Sequence, residues 1–293
     1  MKKSPIIAAA IAATISGSTF AADTSMYGNI RLEVINQTEL NMDSHKMIIG
    51  YKASEDMGNG MTGFMHIELE NDNADEKGTK WDNDLSYVGV KGDFGSVSLG
   101  VQNDAAGFAC SGTDIFTING GNACGVGATN GELENSLVYV KGFGDVTVVL
   151  GTTLDGDKNS THPAPGDHMV LAAQYAADAF SVGFQLTSPD SDLNIDDWMV
   201  VGGTYTINDI VIGLTLADNG TDGATAIAVS APLAGGTVKV GFDTGDALDV
   251  AMGAAGDGTA TNVEYVKNLS KSVYTGASFT SVDGVDDDQI ALW

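Results

Sequence analysis

GYKASEDMGNGMTGFMHIELE, from Gly50 to Glu70, sets two alternating segments on either side of a tight, glycine-bearing turn. Every second residue from Met61 gives Met61, Gly63, Met65, Ile67 and Leu69, and the residues between are Thr62, Phe64, His66, Glu68 and Glu70. Successive side chains of a strand point to opposite faces, so one face here is apolar and the other carries acid. The fold turns on which solvent each face meets.

The same period of two recurs along the chain. Gly28, Ile30, Leu32 and Val34 alternate with Tyr27, Asn29, Arg31 and Glu33. Ile210, Ile212, Leu214 and Leu216 alternate with Val211, Gly213 and Thr215, and Val238, Val240 and Phe242 with Thr237, Lys239, Gly241 and Asp243. No segment sustains a 3.6-residue period, so an all-β chain with almost no helix is expected.

The joints between these segments fall into two kinds. Short ones read SEDMGNG, KGDFGS, KGFGD, AADAF, YTINDI, APLAGG and KNLSKS. Between them come longer, often acidic ones: QTELNMDS, NDNADEKGTKWDND, LDGDKNSTHPAPGD, SPDSDLNIDD, ADNGTDGA, DTGDALDVAMGAAGDGTAT, VDGVDDD, and the longest, about Asn103 to Glu134. Strict alternation of short and long joints predicts about 16 strands in an antiparallel meander, with the long loops at one end; 14 strands remain an alternative. A soluble β-sandwich also alternates, but it has no rule separating short from long loops. Segments of about ten residues match the tilted span of a bilayer by a transmembrane barrel, whose apolar face meets lipid and whose polar face lines water.

Charge narrows the partners. The 293 residues carry 39 acids and 13 bases, a formal net charge of −26. Nucleic acid needs a basic footprint and is not expected as a partner. Residues 1–21 read as a signal peptide: Lys2 and Lys3, an apolar run from about Ile6 to Ile15, then small residues with cleavage after Ala21. That run is too short to span a bilayer as a helix. Residues 22–293 are then one exported domain. Cys110 and Cys124, 14 positions apart, are expected to form a disulfide in an oxidising compartment. With no histidine nearby they make a poor zinc site.

Enzymatic motifs lead nowhere. FDTG at Phe242–Gly245 resembles an aspartic-protease signature, but the second aspartate of the catalytic pair has no counterpart in the chain. GVGATNG from Gly125 precedes no helical pattern, and His45, His66, His162 and His168 lack metal spacing. No cofactor, resident metal or catalytic residue is expected. NDNADE and DGVDDD are loop charge, or carboxylate ligands for Ca²⁺ or Mg²⁺ bridging to lipopolysaccharide; neither matches an EF-hand.

Several segments together resemble the general porins of Gram-negative outer membranes: MYGNIRLEV, IIGYKASEDMGNGMTGFMHIELE, SYVGVKGDFGSVSLGVQ, ENSLVYVKGFGDVTVVLG and NVEYVKNLSKSVYTGASF. The resemblance spans nearly all of the mature chain and is strongest before residue 102. It implies a barrel in the cell outer membrane, usually a homotrimer, through which small hydrophilic solutes and ions diffuse. SEDMGNG becomes a periplasmic turn, and His66, Glu68 and Glu70, with Glu33, become lumen-facing residues. The resemblance also implies that the loop Asn103–Glu134 folds inward as a constriction, contributing Asp104, Asp114, Glu132 and Glu134, with Asp114 nearest its middle. Arg31 and Lys52 match the basic wall opposite, and Trp293 stands where such barrels end in an aromatic assembly signal.

The departures carry information. Val101 stands where the family often carries an arginine after LG in strand five, and Arg31 is the only arginine. A thin basic wall implies a preference for cations. At the end, DDDQIALW would point Gln289 and Ala291 at lipid, which suits neither. The competing expectation is a secreted or surface-attached acidic β-rich adhesin, or a surface-assembly protein, with no channel.

Overall fold

Alternation with a period of two gives sixteen strands that close on themselves. The computed structural model describes residues 23–36, 38–71, 80–117, 123–126, 132–154, 168–189, 197–250, 254–283 and 288–293. The segment expected to be a signal peptide, residues 1–21, lies outside them, as do most of the acidic clusters at 72–79 and 284–287. The strands are β1 (Asp23–Asn36), β2 (Leu40–Gly58), β3 (Met61–Asn71), β4 (Asp82–Gly92), β5 (Gly95–Asn103), β6 (Glu132–Phe143), β7 (Val146–Thr153) and β8 (His168–Ala176). They continue as β9 (Phe180–Pro189), β10 (Trp198–Ile207), β11 (Ile210–Asp218), β12 (Gly223–Leu233), β13 (Gly236–Val250), β14 (Ala254–Asn268), β15 (Tyr274–Val282) and β16 (Gln289–Leu292). Each pairs antiparallel with its neighbours in sequence, and β16 returns to β1, so sixteen strands form a closed barrel. Closure removes the sheet edges that a bilayer could not solvate.

Which face is apolar decides the solvent. On β11, Ile210, Ile212, Leu214 and Leu216 are 36–48% exposed on the outside, while Thr215 is fully buried on the inside. At that exposure, leaving the four side chains in water forgoes roughly 2–6 kcal/mol of burial on one strand alone, a large part of the stability of a soluble domain. The outer face therefore belongs in lipid. Ile67 and Leu69 stand on that face, and His66 is buried on the inner one, as the Gly50–Glu70 pattern requires.

All seven short joints are turns of the structure, from Gly58–Met61 to Asn268–Tyr274. Ile207–Ile210 shows why the chain reverses there. Asn208 and Asp209 have φ of 48° and 65°, the left-handed pair that a tight hairpin of matching twist demands. Three of the expected long loops are shorter than the sequence suggests. QTELNMDS is a close hairpin with Asn36 opposite Leu40, and in ADNGTDGA Asp218 pairs with Gly223. There the Asn219 side chain accepts hydrogen bonds from the Thr221 and Asp222 N–H groups, building a turn from polar residues that composition alone reads as loop. DTGDALDVAMGAAGDGTAT pairs as far as Val250 opposite Ala254. The long strands β2, β13 and β14 take up much of the first and third of these segments.

The chain end also differs from expectation. Ile290 and Leu292 are the outward residues of β16, while Gln289 and Ala291 are buried inward. Trp293 shares the inward parity and lies over Gly276 of β15, where an added Cβ would meet the indole. The β1–β16 register, Val34 to Leu292 and Asn36 to Ile290, sets this parity.

Candidate functional site: a lumen with a seated loop

Between β5 and β6 the chain turns into the barrel. Its described part holds two single helical turns, α1 (Gly107–Cys110) and α2 (Ala123–Val126), joined by the disulfide Cys110–Cys124. Loop backbone has few partners of its own and must find them on the wall. Asp104 starts this: its carboxylate accepts from the Ala106 N–H and from Gln185 Nε2, while Gln185 Oε1 accepts from the Ala105 N–H at 2.8 Å.

The loop then crosses the inner faces of β9 to β13 along a track of glycines. A Cβ added at Gly183, Gly202 or Gly213 would fall well under 3 Å from the carbonyls of Phe108, Ala109 and Gly112 respectively. Gly241 takes the Phe116 ring in the same way. Between them Thr113 Oγ1 and Thr215 Oγ1 are 2.6 Å apart, and Thr215 also donates to the Ala109 carbonyl. Small residues finish the seat: Ala217, Ala226 and Ala260 pack with Ala109 and Ala123 in one buried cluster.

Beyond the track the anchors are charged. Glu264 on β14, fully buried, accepts from the Thr117 N–H at 2.6 Å and from its hydroxyl at 2.9 Å, and pairs with Lys239 Nζ at 2.5 Å. Arg31 on β1 donates to the Thr117 carbonyl. Asp243, the aspartate of the FDTG segment, accepts from the Ala123 N–H and so belongs to the loop's seat.

The wall of β1–β5 is differently furnished. Register carries one inward row across it, Ser25, Lys52, His66, Tyr87 and Gly100, with Tyr27, Gly50 and Glu68 in an adjacent row. Tyr27 donates to Glu68. His66 Nε2 lies 2.5 Å from the Tyr27 hydroxyl and Nδ1 lies 3.1 Å from the Tyr87 hydroxyl. One proton arrangement serves all three contacts: Nε2–H donates to Tyr27, and Tyr87 donates to Nδ1. Lys52 Nζ stands 5.1 Å from the Tyr27 ring centroid. Rings, a histidine and charges here take the place of glycine and alanine.

The residues expected to form a constriction separate into groups. Arg31 and Asp104 hold the loop, as described. Asp114, whose N–H donates to the Cys110 carbonyl, keeps an exposed surface on the loop, while the protein packed around it partly desolvates its carboxyl and raises its pKa above the ordinary value. Glu132 and Glu134 lie at the loop end of β6, on either side of the buried Leu133 that pairs with inward-facing Gln102. Glu33 is buried on β1, and Glu70 is ion-paired with Lys46. Sequence reasoning missed Gln185, Lys239, Asp243, Glu264 and the glycine track. Their parity is readable, but no local signal says that a loop some hundred residues distant will cover them.

The arrangement defines a class: a membrane-spanning β-barrel with a polar interior narrowed by an inward-folded loop. A family model described as Gram-negative porin matches residues 8–287, and the chain belongs to that family. Among curated relatives, a monosaccharide porin of Halomonas sp. is 28% identical over 255 residues, covering 73% of this chain and 69% of the relative. Among solved structures, the trimer form of OmpT from Vibrio cholerae superposes with a TM-score of 0.71 at 16% identity, covering 93% of this chain and 98% of that one. An anion-selective porin from Comamonas acidovorans gives 0.70 at 17% identity, with the same coverage of 93% and 98%.

Proposed function

We propose that the protein is a homotrimeric diffusion channel, exported by its signal peptide to the outer membrane, which passes small hydrophilic solutes and ions down their gradients and prefers cations. The observation that carries the channel reading is the polar inner face of a closed barrel with a loop folded against one side. Such a channel needs no covalent step. A solute crosses if it fits and if fixed charge does not repel it. The Halomonas relative's name and the trimeric relative fit this reading.

Cation preference rests on charge, because the fold is shared with an anion-selective porin. Arg31 is engaged with the loop, Lys239 with its anchor Glu264 and Lys46 with Glu70, which leaves few basic side chains to attract anions. In this reading Asp114 and Lys52 border the narrow part, and His66, Glu68 and Glu70 line the water-filled side. Trp293 serves as the terminal assembly signal, and the acidic outer loops bridge to lipopolysaccharide through divalent cations.

Single-channel current in a planar bilayer under a KCl gradient tests this. The expectation is conductance steps in threes with a reversal potential favouring K⁺. Folded, inserted protein that gives no steps would end the channel reading, while a reversal potential favouring Cl⁻ would end the cation preference alone.

A further inference from the structure

We infer that the wall of β1–β5 holds a solute subsite for a small hydroxylated carboxylate, of the sugar-acid class, between Lys52 and Lys91. The inference deepens the channel reading and rests on it. A cavity of about 420 Å³ opens on the inner face of β1–β5, towards the short-turn end of the lumen. That volume lies within the ordinary range for small-molecule sites. Three successive cross-strand rows build it: Lys52 with His66 and Tyr87, then Ser54 with Phe64, then Lys91 with Ser96.

Charge singles the cavity out. In a chain with 39 acids and 13 bases, a cation facing the lumen is expected to find a carboxylate or a loop oxygen. Lys46, Lys239 and Arg31 do so, at Glu70, Glu264 and the Thr117 carbonyl. Among the described inner-face cations, Lys52 and Lys91 have no carboxylate within ion-pair distance, and both line this one cavity. The Tyr27 ring, over which Lys52 stands, holds the ammonium group in place and leaves its charge uncancelled. Asp23 also lines the cavity, which leaves one net positive charge against two lysines.

The remaining lining specifies the rest of the solute. Phe64 lies against Gly89, where a Cβ would fall under 3 Å from the ring, so glycine lets the ring lie back along the wall. Tyr87 meets Phe64 edge-on at 6.3 Å and 79°. A flat apolar surface, the hydroxyls of Ser54 and Ser96 and two ammonium groups together match a ring with C–H faces, several hydroxyls and one carboxylate. The formal net charge of −26 disfavours the entry of such a solute, and this subsite gives it one favourable stop. Binding must stay weak for transport, since a solute that cannot leave blocks the channel.

Potassium galacturonate added to an open single channel in KCl tests the assignment. Brief, concentration-dependent current interruptions are expected with galacturonate and not with galactose. In the Lys52→Gln/Lys91→Gln double variant the half-blocking concentration should rise about tenfold or more, the scale of losing charge-assisted hydrogen bonds. Heat-modifiable migration checks that the variant barrel is folded, and Lys91→Gln alone should give an intermediate shift. Interruptions by galactose of equal strength would overturn the carboxylate assignment, and an unchanged half-blocking concentration in the double variant would overturn the site. A conducting channel that galacturonate never interrupts would overturn the subsite and leave the channel reading standing; protein without any conductance would remove both.

Discussion

The two halves of the barrel's inner wall obey the same alternation and hold opposite chemistry. On β9–β13 the inward positions include Gly183, Gly202, Gly213, Thr215 and Gly241, and the loop lies against them. On β1–β5 they include Lys52, His66, Glu68 and Tyr87, which face the lumen and one another. Absence of a side chain is therefore information. Where the wall is to be covered it is smooth, and where it is to meet water and solute it is furnished.

Roughening the smooth wall should have the largest effect. Gly213→Val places a branched side chain where the Gly112 carbonyl lies, and backbone cannot step aside as a flexible side chain can. The expected result is a displaced loop, read as a change of about twofold or more in single-channel conductance, or loss of the folded, heat-modifiable band. Wild-type conductance and migration together would mean that the loop is not seated there. Glu264→Gln comes next. It leaves the Lys239 ammonium without its carboxylate and weakens two bonds to Thr117, at a cost of about 3–5 kcal/mol by analogy with other buried pairs. A thermal melt that does not move would count against the anchor.

Opening the disulfide should matter less, because the loop keeps its other anchors. Replacing Cys110 and Cys124 by alanine should cost about 3 kcal/mol on the chain-entropy account. The readout is a lower melting temperature with noisier open-channel current and a barrel that still forms; a quiet channel with wild-type melting would show that the wall alone holds the loop. The smallest effect concerns charge in the narrow part. Desolvation raises the Asp114 pKa, so as pH falls its negative charge is lost earlier than that of an ordinary carboxylate. The K⁺ over Cl⁻ preference should begin to decline above the usual carboxylate range, and Asp114→Asn should remove that part of the pH dependence while lowering the preference at neutral pH. A variant with the wild-type pH profile would release Asp114 from the role.

Local chemistry explains why most of the barrel was legible. Alternation over Met61–Glu70 and Ile210–Leu216 assigns faces because adjacent Cβ atoms point opposite ways, and each short joint carries its own reversal, as Asn208 and Asp209 do. Acidic composition misled at QTELNMDS, ADNGTDGA and DTGDALDVAMGAAGDGTAT, because polar residues serve equally well in turns and in strands that rise beyond the lipid. At the end of the chain, Gln289 and Ala291 of DDDQIALW are expected to face lipid; pairing to β1 puts them inside.

By itself, then, the sequence determined the strand periodicity, the apolar outer face, the seven tight turns, the inward position of His66 and Glu68, and the resemblance to porins. Tertiary structure alone decided which wall the loop covers, that Arg31, Asp243 and Glu264 hold it, and that Lys52 and Lys91 share one cavity. The division has a physical cause. Period and turn chemistry act between neighbours a few residues apart, whereas Thr113 meets Thr215, and Thr117 meets Glu264, only after sixteen strands have closed around the loop.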